Sequence, residues 1–289
     1  MDVHPGLAWM REHPTAAAWL DRLPSIVEEC ADRWRLSLGE PYGYASSSLV
    51  LRAIRDDGSP AALKIAWPHR EATYEGDALR FWSGDGAVVL LEHDRERGAF
   101  LLERCDPGTS LKELDEDQAL DAFVDVARRL WRPAGAPFTT VVDEVAWWAD
   151  YLPRVWSHVP EPFERRLLDA ALEVFGELPA TQGEQVLVHQ DLHADNILRA
   201  TRQPWLAIDP KPLLAEREFG IAAIVRGDEL GRGPQRVRHR LDRLVHDLEL
   251  DRERARLWAF AQTLAWGVDE IENEVLWEHV EVARWILDA

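Results

Sequence analysis

The stretch Val186-Leu-Val-His-Gln-Asp-Leu-His-Ala-Asp-Asn-Ile-Leu198, followed by Trp205-Leu-Ala-Ile-Asp209, decides how the chain is read. An apolar run enters a polar loop carrying His189, Asp191 and Asn196, and a second short apolar run delivers Asp209. Runs of this length bounded by polar turns read as strands. Ile197-Leu198 and Leu206-Ala-Ile208 would be two arms of a hairpin around Arg202-Gln-Pro204, which sets Asn196 and Asp209 at one end. Both offer hard oxygen ligands of the kind Mg²⁺ takes. Asp191 is placed to accept a hydrogen bond, and then a proton, from a hydroxyl. His189 reads as a brace for the loop. His189, His193 and Asp195 also admit a metal-cluster reading, but that leaves Asn196 and Asp209 unexplained. His193 reads as a second brace, and Asp195 as either structural or facing a substrate.

The order His-x-Asp-x-x-x-x-Asn resembles the catalytic loop of protein kinases, and Asp209 falls where kinases keep their second metal ligand. Upstream residues fit the same pattern. Gly39-Glu-Pro-Tyr-Gly-Tyr-Ala-Ser-Ser-Ser48 is a turn of small residues entering a strand, and Ala61-Ala-Leu-Lys-Ile-Ala66 is a returning strand with Lys64 inside an apolar run. A lone lysine in a strand is commonly a solvated edge residue. Its distance from the small-residue turn instead suits a cation beside nucleotide phosphates, with Gly43, Ser46 and Ser47 supplying donors. The turn has one glycine where protein kinases show three. A helix is predicted over 71–83. Glu75 is the better candidate to orient Lys64, because Leu79 and Trp82 turn its face inward; Glu71 is the alternative. Glu103-Arg-Cys-Asp-Pro-Gly108 breaks the strand pattern and reads as a hinge, where kinase-like folds hold adenine. The implied cofactors are ATP and Mg²⁺.

The remaining segments order themselves around this site. Residues 1–38 read as amphipathic helix broken at Pro14 and Pro24. Strands are expected over 49–54, 61–66, 87–91 and 99–102, and helices over 111–131, 141–156, 163–175, 217–225, 235–250, 252–271 and 274–287. The fold class is α+β, a bilobal protein-kinase-like architecture with a small antiparallel sheet in an N-terminal lobe (1–104) and a mainly helical C-terminal lobe (105–289). At 289 residues and 46% hydrophobic content the chain can bury two substantial cores. A net charge of −19 argues against nucleic acid or anionic membrane as partner and suits a cationic small molecule. Two distant cysteines, Cys30 and Cys105, make no disulfide framework, so a reducing cytoplasm is expected. No apolar run approaches the roughly 18 residues of a membrane span. No signal peptide and no obligate protein partner are evident.

His189-Gln-Asp-Leu-His-Ala-Asp-Asn196 together with Ile208-Asp-Pro-Lys211 resembles the aminoglycoside phosphotransferase superfamily. The Ile-Asp-Pro-Lys form is most similar to its streptomycin 6-phosphotransferase and hydroxyurea-resistance branch. Ala61-Ala-Leu-Lys-Ile-Ala-Trp-Pro68, Asp77-Ala-Leu-Arg80, Gly84-Asp-Gly-Ala87 and Ala261-Gln-Thr-Leu-Ala-Trp-Gly267 resemble that branch too. The resemblance implies transfer of the ATP γ-phosphate to a hydroxyl of streptomycin, at position 6 of its streptidine ring, and hence antibiotic resistance. It makes Asp269 and Glu270 candidates for a substrate-facing acidic patch and Trp266 a platform for a guanidinium. Asp269 and Glu270 on a solvated helix face is the competing reading. Lys211 and Arg217 read as structural ion-pair partners. A kinase of another small hydroxyl compound, such as an amino sugar or hydroxyurea, and a non-catalytic pseudokinase are the alternative functions.

Overall fold

A computed structural model describes residues 4–43, 46–269 and 274–289. After a 3₁₀ segment, Pro5–Glu12, helix α1 runs over Pro14–Trp34. Pro14 opens it, where a missing N–H costs nothing. Pro24 lies inside and does not break it, contrary to the sequence expectation. A proline in a helix interior forfeits about 3 kcal/mol. The stripe Ala16, Trp19, Leu20, Leu23, Ile26, Val27 and Cys30 is buried on both sides of it and outweighs that loss.

Five antiparallel strands follow: β1 (Ser37–Pro41), β2 (Ser48–Ile54), β3 (Pro60–Ala66), β4 (Leu90–Asp94) and β5 (Ala99–Glu103), in the order β1-β2-β3-β5-β4. Helix α2 (Glu75–Trp82) sits between β3 and β4 in sequence. Central β3 is buried on both faces beyond Pro60. Ala61, Leu63 and Ile65 join a core with α1, whereas Ala62 and Ala66 join a second, larger core with α2 and the helical half. The two-residue period puts Lys64 on that second face.

The sheet differs from the sequence reading at β4. Ala87 and Val88 bridge to Ala207 of the later hairpin rather than to the sheet, with Val88 N–H donating to Ala207 O at 3.0 Å. The apolar pair fills the seam between the two halves, so the strand begins at Leu90. β1 lies partly where helix was expected.

The second half comprises α3 (Glu116–Leu130), α4 (Val141–Trp156), α5 (Arg165–Glu177), β6 (Gln185–Val188), β7 (Ile197–Arg199), β8 (Trp205–Ala207), β9 (Leu213–Glu216), α6 (Ala222–Arg226), α7 (Pro234–Leu248), α8 (Arg252–Ala265), β10 (Val268–Asp269), β11 (Glu274–Val275) and α9 (Trp277–Leu287). β7 and β8 form the expected hairpin, and β6 pairs with β9, a strand the sequence did not signal. Helix α8 stops at Trp266 instead of running on, because Trp266-Gly267 turns the chain into the β10–β11 pair. Among the described residues no helix is long and apolar enough to cross a membrane.

Gly86 holds the seam. Its φ is +78°, and a Cβ there would lie 2.8 Å from Arg129 Cβ and 3.2 Å from Leu130 Cδ2. At Gly58, φ +82°, a Cβ would meet nothing within 4 Å. Gly86→Ala is expected to destabilise the fold by about 3 kcal/mol, from strain plus overpacking, and Gly58→Ala by about 1 kcal/mol from strain alone. Urea unfolding monitored by tryptophan fluorescence measures both; equal losses would rule out a packed seam at Gly86.

Candidate active site

Lys64 is the meeting point of three elements. Its Nζ donates to both carboxylate oxygens of Glu75 at 2.7 Å and to Asp209 Oδ1 at 2.5 Å. Lys64 and Glu75 are both buried, at 4% and 1% exposure. Burial alone would discharge the lysine, but Asp209 and Glu75 hold its pKa above the ordinary lysine value. Of the two glutamates the sequence offered, Glu75 is the one that reaches Lys64. Glu71 lies in the 3₁₀ turn Arg70–Ala72, 3.6 Å from Arg70, and burial pushes its carboxyl up.

The polar loop after β6 presents Asp191 from a buried backbone. His189 Nε2 donates to Ile208 O at 2.8 Å, and the His189 carbonyl accepts from Lys211 N–H at 3.0 Å. The imidazole also stacks on Trp82, centroids 6.3 Å apart. Burial pulls the His189 pKa down to about 4, so the ring is neutral and acts as the brace expected of it. Asn196 Nδ2 donates to Asp191 O at 2.8 Å, which leaves the Asn196 amide oxygen for another partner.

The Asp191 carboxylate is held at both ends. Oδ2 accepts from Lys211 Nζ at 2.5 Å and Oδ1 from Arg226 Nη2 at 3.1 Å. Burial works to raise its pKa, but Lys211, His193 and Arg226 outweigh that and keep it below the usual carboxylate value. Lys211 Nζ also lies 3.9 Å from Asp209 Oδ2. This lysine, read from sequence as a structural ion-pair partner, therefore joins the two principal carboxylates. Arg217 does pair at the surface, with Glu184 at 3.3 Å.

Two concavities take in these residues. The smaller is lined by Ser47, Ser48, Lys64, Glu75, Asp209 and Lys211, among others. The larger, of about 440 Å³, opens beside Asp191 and is lined by Arg226, Asp228, Glu229, Trp266, Glu278 and Trp285, among others. Of the small-residue turn, Ser47 reaches the smaller cavity; Gly43 is exposed in open space, and Ser46 lies outside the lining, its carbonyl accepting from Trp9 Nε1 at 3.0 Å. The Glu103 side chain is engaged elsewhere: Oε1 and Oε2 accept from Arg202 at 3.0 and 2.9 Å, which ties β5 to the β7–β8 hairpin. Asp195 accepts from Ser110 Oγ at 2.7 Å and lies 2.9 Å from Lys112 Nζ. Trp266 does carry a guanidinium on its face, but it is that of Arg226, 4.3 Å from the ring centroid. Glu270 and the side chain of Asp269 lie outside the described residues.

The acidic wall missed by sequence reasoning is Asp228, Glu229 and Glu278. In sequence the segment 226–233 is a polar loop with three glycines and two acids, and the first turn of α9 reads as plain helix. Glu229 Oε1 lies 2.6 Å from His193 Nδ1, which links this wall to the loop of Asp191. The signal available was Asp228-Glu229 between glycines.

A small sheet with one helix, a lysine–glutamate pair and a paired-carboxylate loop define a protein-kinase-like small-molecule kinase. A choline/ethanolamine kinase family protein from Mesorhizobium loti superposes with a TM-score of 0.66 at 15% identity, covering 91% of this chain and 95% of that one. The sequence profile of the aminoglycoside/hydroxyurea antibiotic resistance kinases matches residues 33–272, and the chain belongs to that family. It is an O-phosphotransferase of the aminoglycoside kinase class. Streptomycin 6-kinase from Streptomyces griseus is 36% identical over 263 residues, 89% of this chain and 85% of that protein. Hydroxyurea phosphotransferase from Kitasatospora aureofaciens is 37% identical over 279 residues, 93% of this chain and 80% of that protein.

The buried neutral His189 makes stability pH-dependent with a definite sign. Its folded pKa of about 4 lies below the unfolded value of about 6.5, so the unfolded chain binds the extra proton in between. Its contribution is complete above about pH 6.5 and falls as pH drops, by about 3 kcal/mol at pH 4. His189→Asn, which keeps a donor for Ile208 O, is expected to be less stable than the parent at pH 7 but to lose less between pH 7 and pH 4.5. Denaturant midpoints across that range measure the slope, and identical slopes would show that His189 is not the group responsible.

Proposed function

We propose that the protein transfers the γ-phosphate of ATP to a hydroxyl of streptomycin, at position 6 of the streptidine ring, and thereby inactivates the drug. The observation that carries the reading is the placement of Asp191. It lines a cavity that also takes in Asp228, Glu229 and Glu278, while Lys64, Asp209 and Lys211 line a second one. Carboxylates facing the acceptor side suit a polycation carrying guanidinium groups. Arg226, Arg232 and Arg240 line the same cavity, Arg232 3.6 Å from Glu278, and offset much of that charge.

Within this reading Asp191 orients the acceptor hydroxyl and takes its proton. Lys211 and Arg226 keep Asp191 ionised and aimed. Glu75 holds Lys64 extended toward the phosphates, and Ser47 lies across the same cavity. Asn196 and Asp209 would hold Mg²⁺. The donor set fits: an amide oxygen and a carboxylate suit a hard ion that completes its shell with phosphate oxygens and water. Bound Mg·ATP supplies the transferable phosphoryl group and neutralises the charge on it. We place the lobe division at residues 104 and 105, so that Glu103-Arg-Cys-Asp-Pro-Gly108 is the hinge and its backbone receives adenine. The free thiols Cys30 and Cys105 suit a cytoplasmic location.

Hydroxyurea or another small hydroxyl compound is the second acceptor reading, favoured by the 37% identity to hydroxyurea phosphotransferase. Mass spectrometry after incubation with Mg·ATP and each acceptor separates the two: a phosphorylated streptomycin, with the phosphate located at position 6, is expected. Turnover of hydroxyurea or amino sugars with none of streptomycin would overturn the first reading. Asp191→Asn is expected to lower kcat by about 10²- to 10⁴-fold with ATP binding retained.

The acidic wall gives a separate expectation. Asp228→Asn and Glu278→Gln should each raise KM for streptomycin by about two- to fivefold, as for loss of one screened ion pair, with little change in KM for ATP. The parent's KM should rise with salt more steeply than that of either variant. An unchanged KM in both variants would show that the drug's cations bind elsewhere.

A further inference from the structure

A chain of polar contacts runs from the surface of the N-terminal half to the Asp191 carboxylate, and the roles assigned above do not use it. Arg70, in the turn before α2, lies 4.1 Å over the Trp147 ring and pairs through two nitrogens with Glu144, Nη2 to Oε1 at 2.9 Å. Glu144 is in the first turn of α4, which Thr140 and Asp143 cap reciprocally, and it is 2% exposed. Its Oε1 also accepts from Gln190 Nε2 at 3.2 Å.

Gln190 immediately precedes Asp191 and is buried, with φ +62°. That left-handed backbone favours glycine, so a glutamine is held there by its contacts. One is Glu144. The other is at its carbonyl, which accepts from Gln262 Nε2 at 3.2 Å. Gln262 Oε1 accepts from Arg226 Nη1 at 2.8 Å, and Arg226 Nη2 returns to Asp191 Oδ1. The contacts therefore close a ring on the residue that faces the acceptor. Arg70, which joins this ring only through Glu144 and Gln190, comes from the opposite half. Without it Glu144 would be a buried carboxylate with no cation, a state strongly disfavoured.

We propose that Glu144 is a positioning residue for phosphoryl transfer: it fixes Asp191 through Gln190, and it does so only while Arg70 docks from the N-terminal half. The idea rests on Asp191 being the base, and the ring gives it a consequence that does not depend on turnover. The catalytic loop should loosen when any link upstream of it is cut, while the nucleotide cavity stays intact.

The test uses the full chain with Mg·ATP and streptomycin. Glu144→Ala and Arg70→Ala should each speed amide hydrogen exchange of residues 189–193 by about tenfold. Each should lower kcat on the order of 10- to 100-fold, with the ATP dissociation constant, measured by calorimetry, within about twofold of the parent. Gln190→Gly, which suits the backbone but lacks the amide, should match Glu144→Ala. The double variant should be no worse than either single one, because both cut the same link. Should Glu144→Ala fail to fold, Arg70→Ala, whose side chain is 39% exposed, carries the same test. Unchanged exchange at 189–193, or additive losses in the double variant, overturns the proposal. Turnover surviving in Asp191→Asn would instead remove the assignment of the base, and the exchange measurement alone then decides whether Glu144 sets this loop.

Discussion

One ammonium group organises the molecule. Lys64 reaches from the middle of the sheet to Glu75 on α2 and to Asp209 beyond the β7–β8 hairpin, so a single buried cation gathers carboxylates from both halves. Without it Glu75, 1% exposed, would be a buried carboxylate with no cation, and breaking a buried pair by removing one partner costs about 3–5 kcal/mol. The sheet's register, the entry of α2 and the height of the hairpin must all agree for this contact to form. Gly86 and the Ala87–Ala207 bridge then seal the seam around it.

Asp191 obeys the same constraint from the other side. Its carboxylate is paired with Lys211 and Arg226, and Lys211 reaches toward Asp209. Alternating positive and negative groups thus run Glu75, Lys64, Asp209, Lys211, Asp191, Arg226. Each charge is affordable because the next one is adjacent. Removing an interior member strips one partner from each of its two neighbours, which is why substitutions here are expected to be read in both stability and turnover.

How much of this was legible in the sequence follows from what each signal depends on. The strand around Lys64, the β7–β8 hairpin and the loop of His189, Asp191 and Asn196 are short-range features, in which residue type and spacing fix the geometry. Glu75 was legible because Leu79 and Trp82 mark its helix face. Pro24 misled because the penalty is local whereas the burial that offsets it comes from the sheet across the core. Ala87-Val88 misled because an apolar pair reads alike in a sheet and in a seam. Trp266 was found but its guanidinium was not: Arg226 lies forty positions earlier in the sequence, and only the packing of α6 on α8 brings the two together. The acidic wall of Asp228, Glu229 and Glu278 failed to show for the same reason, since charged residues on a loop and a helix start look like solvated surface until the fold turns them toward one space.

The turn at Trp266-Gly267 has a wider consequence. By ending α8 and sending the chain through β10 and β11 into α9, it builds the acceptor wall from the loop at 226–233 and from residues 276–285, none of which contributes to the lysine cavity. In the proposed reading, the phosphate-handling parts and most of the drug-facing parts are therefore separate pieces of chain that meet at the Asp191 loop. Exchange of side chains along α9 would retarget the enzyme to a different acceptor while the transfer apparatus remained as it is, the arrangement expected of a scaffold that can diversify its substrates by surface variation alone.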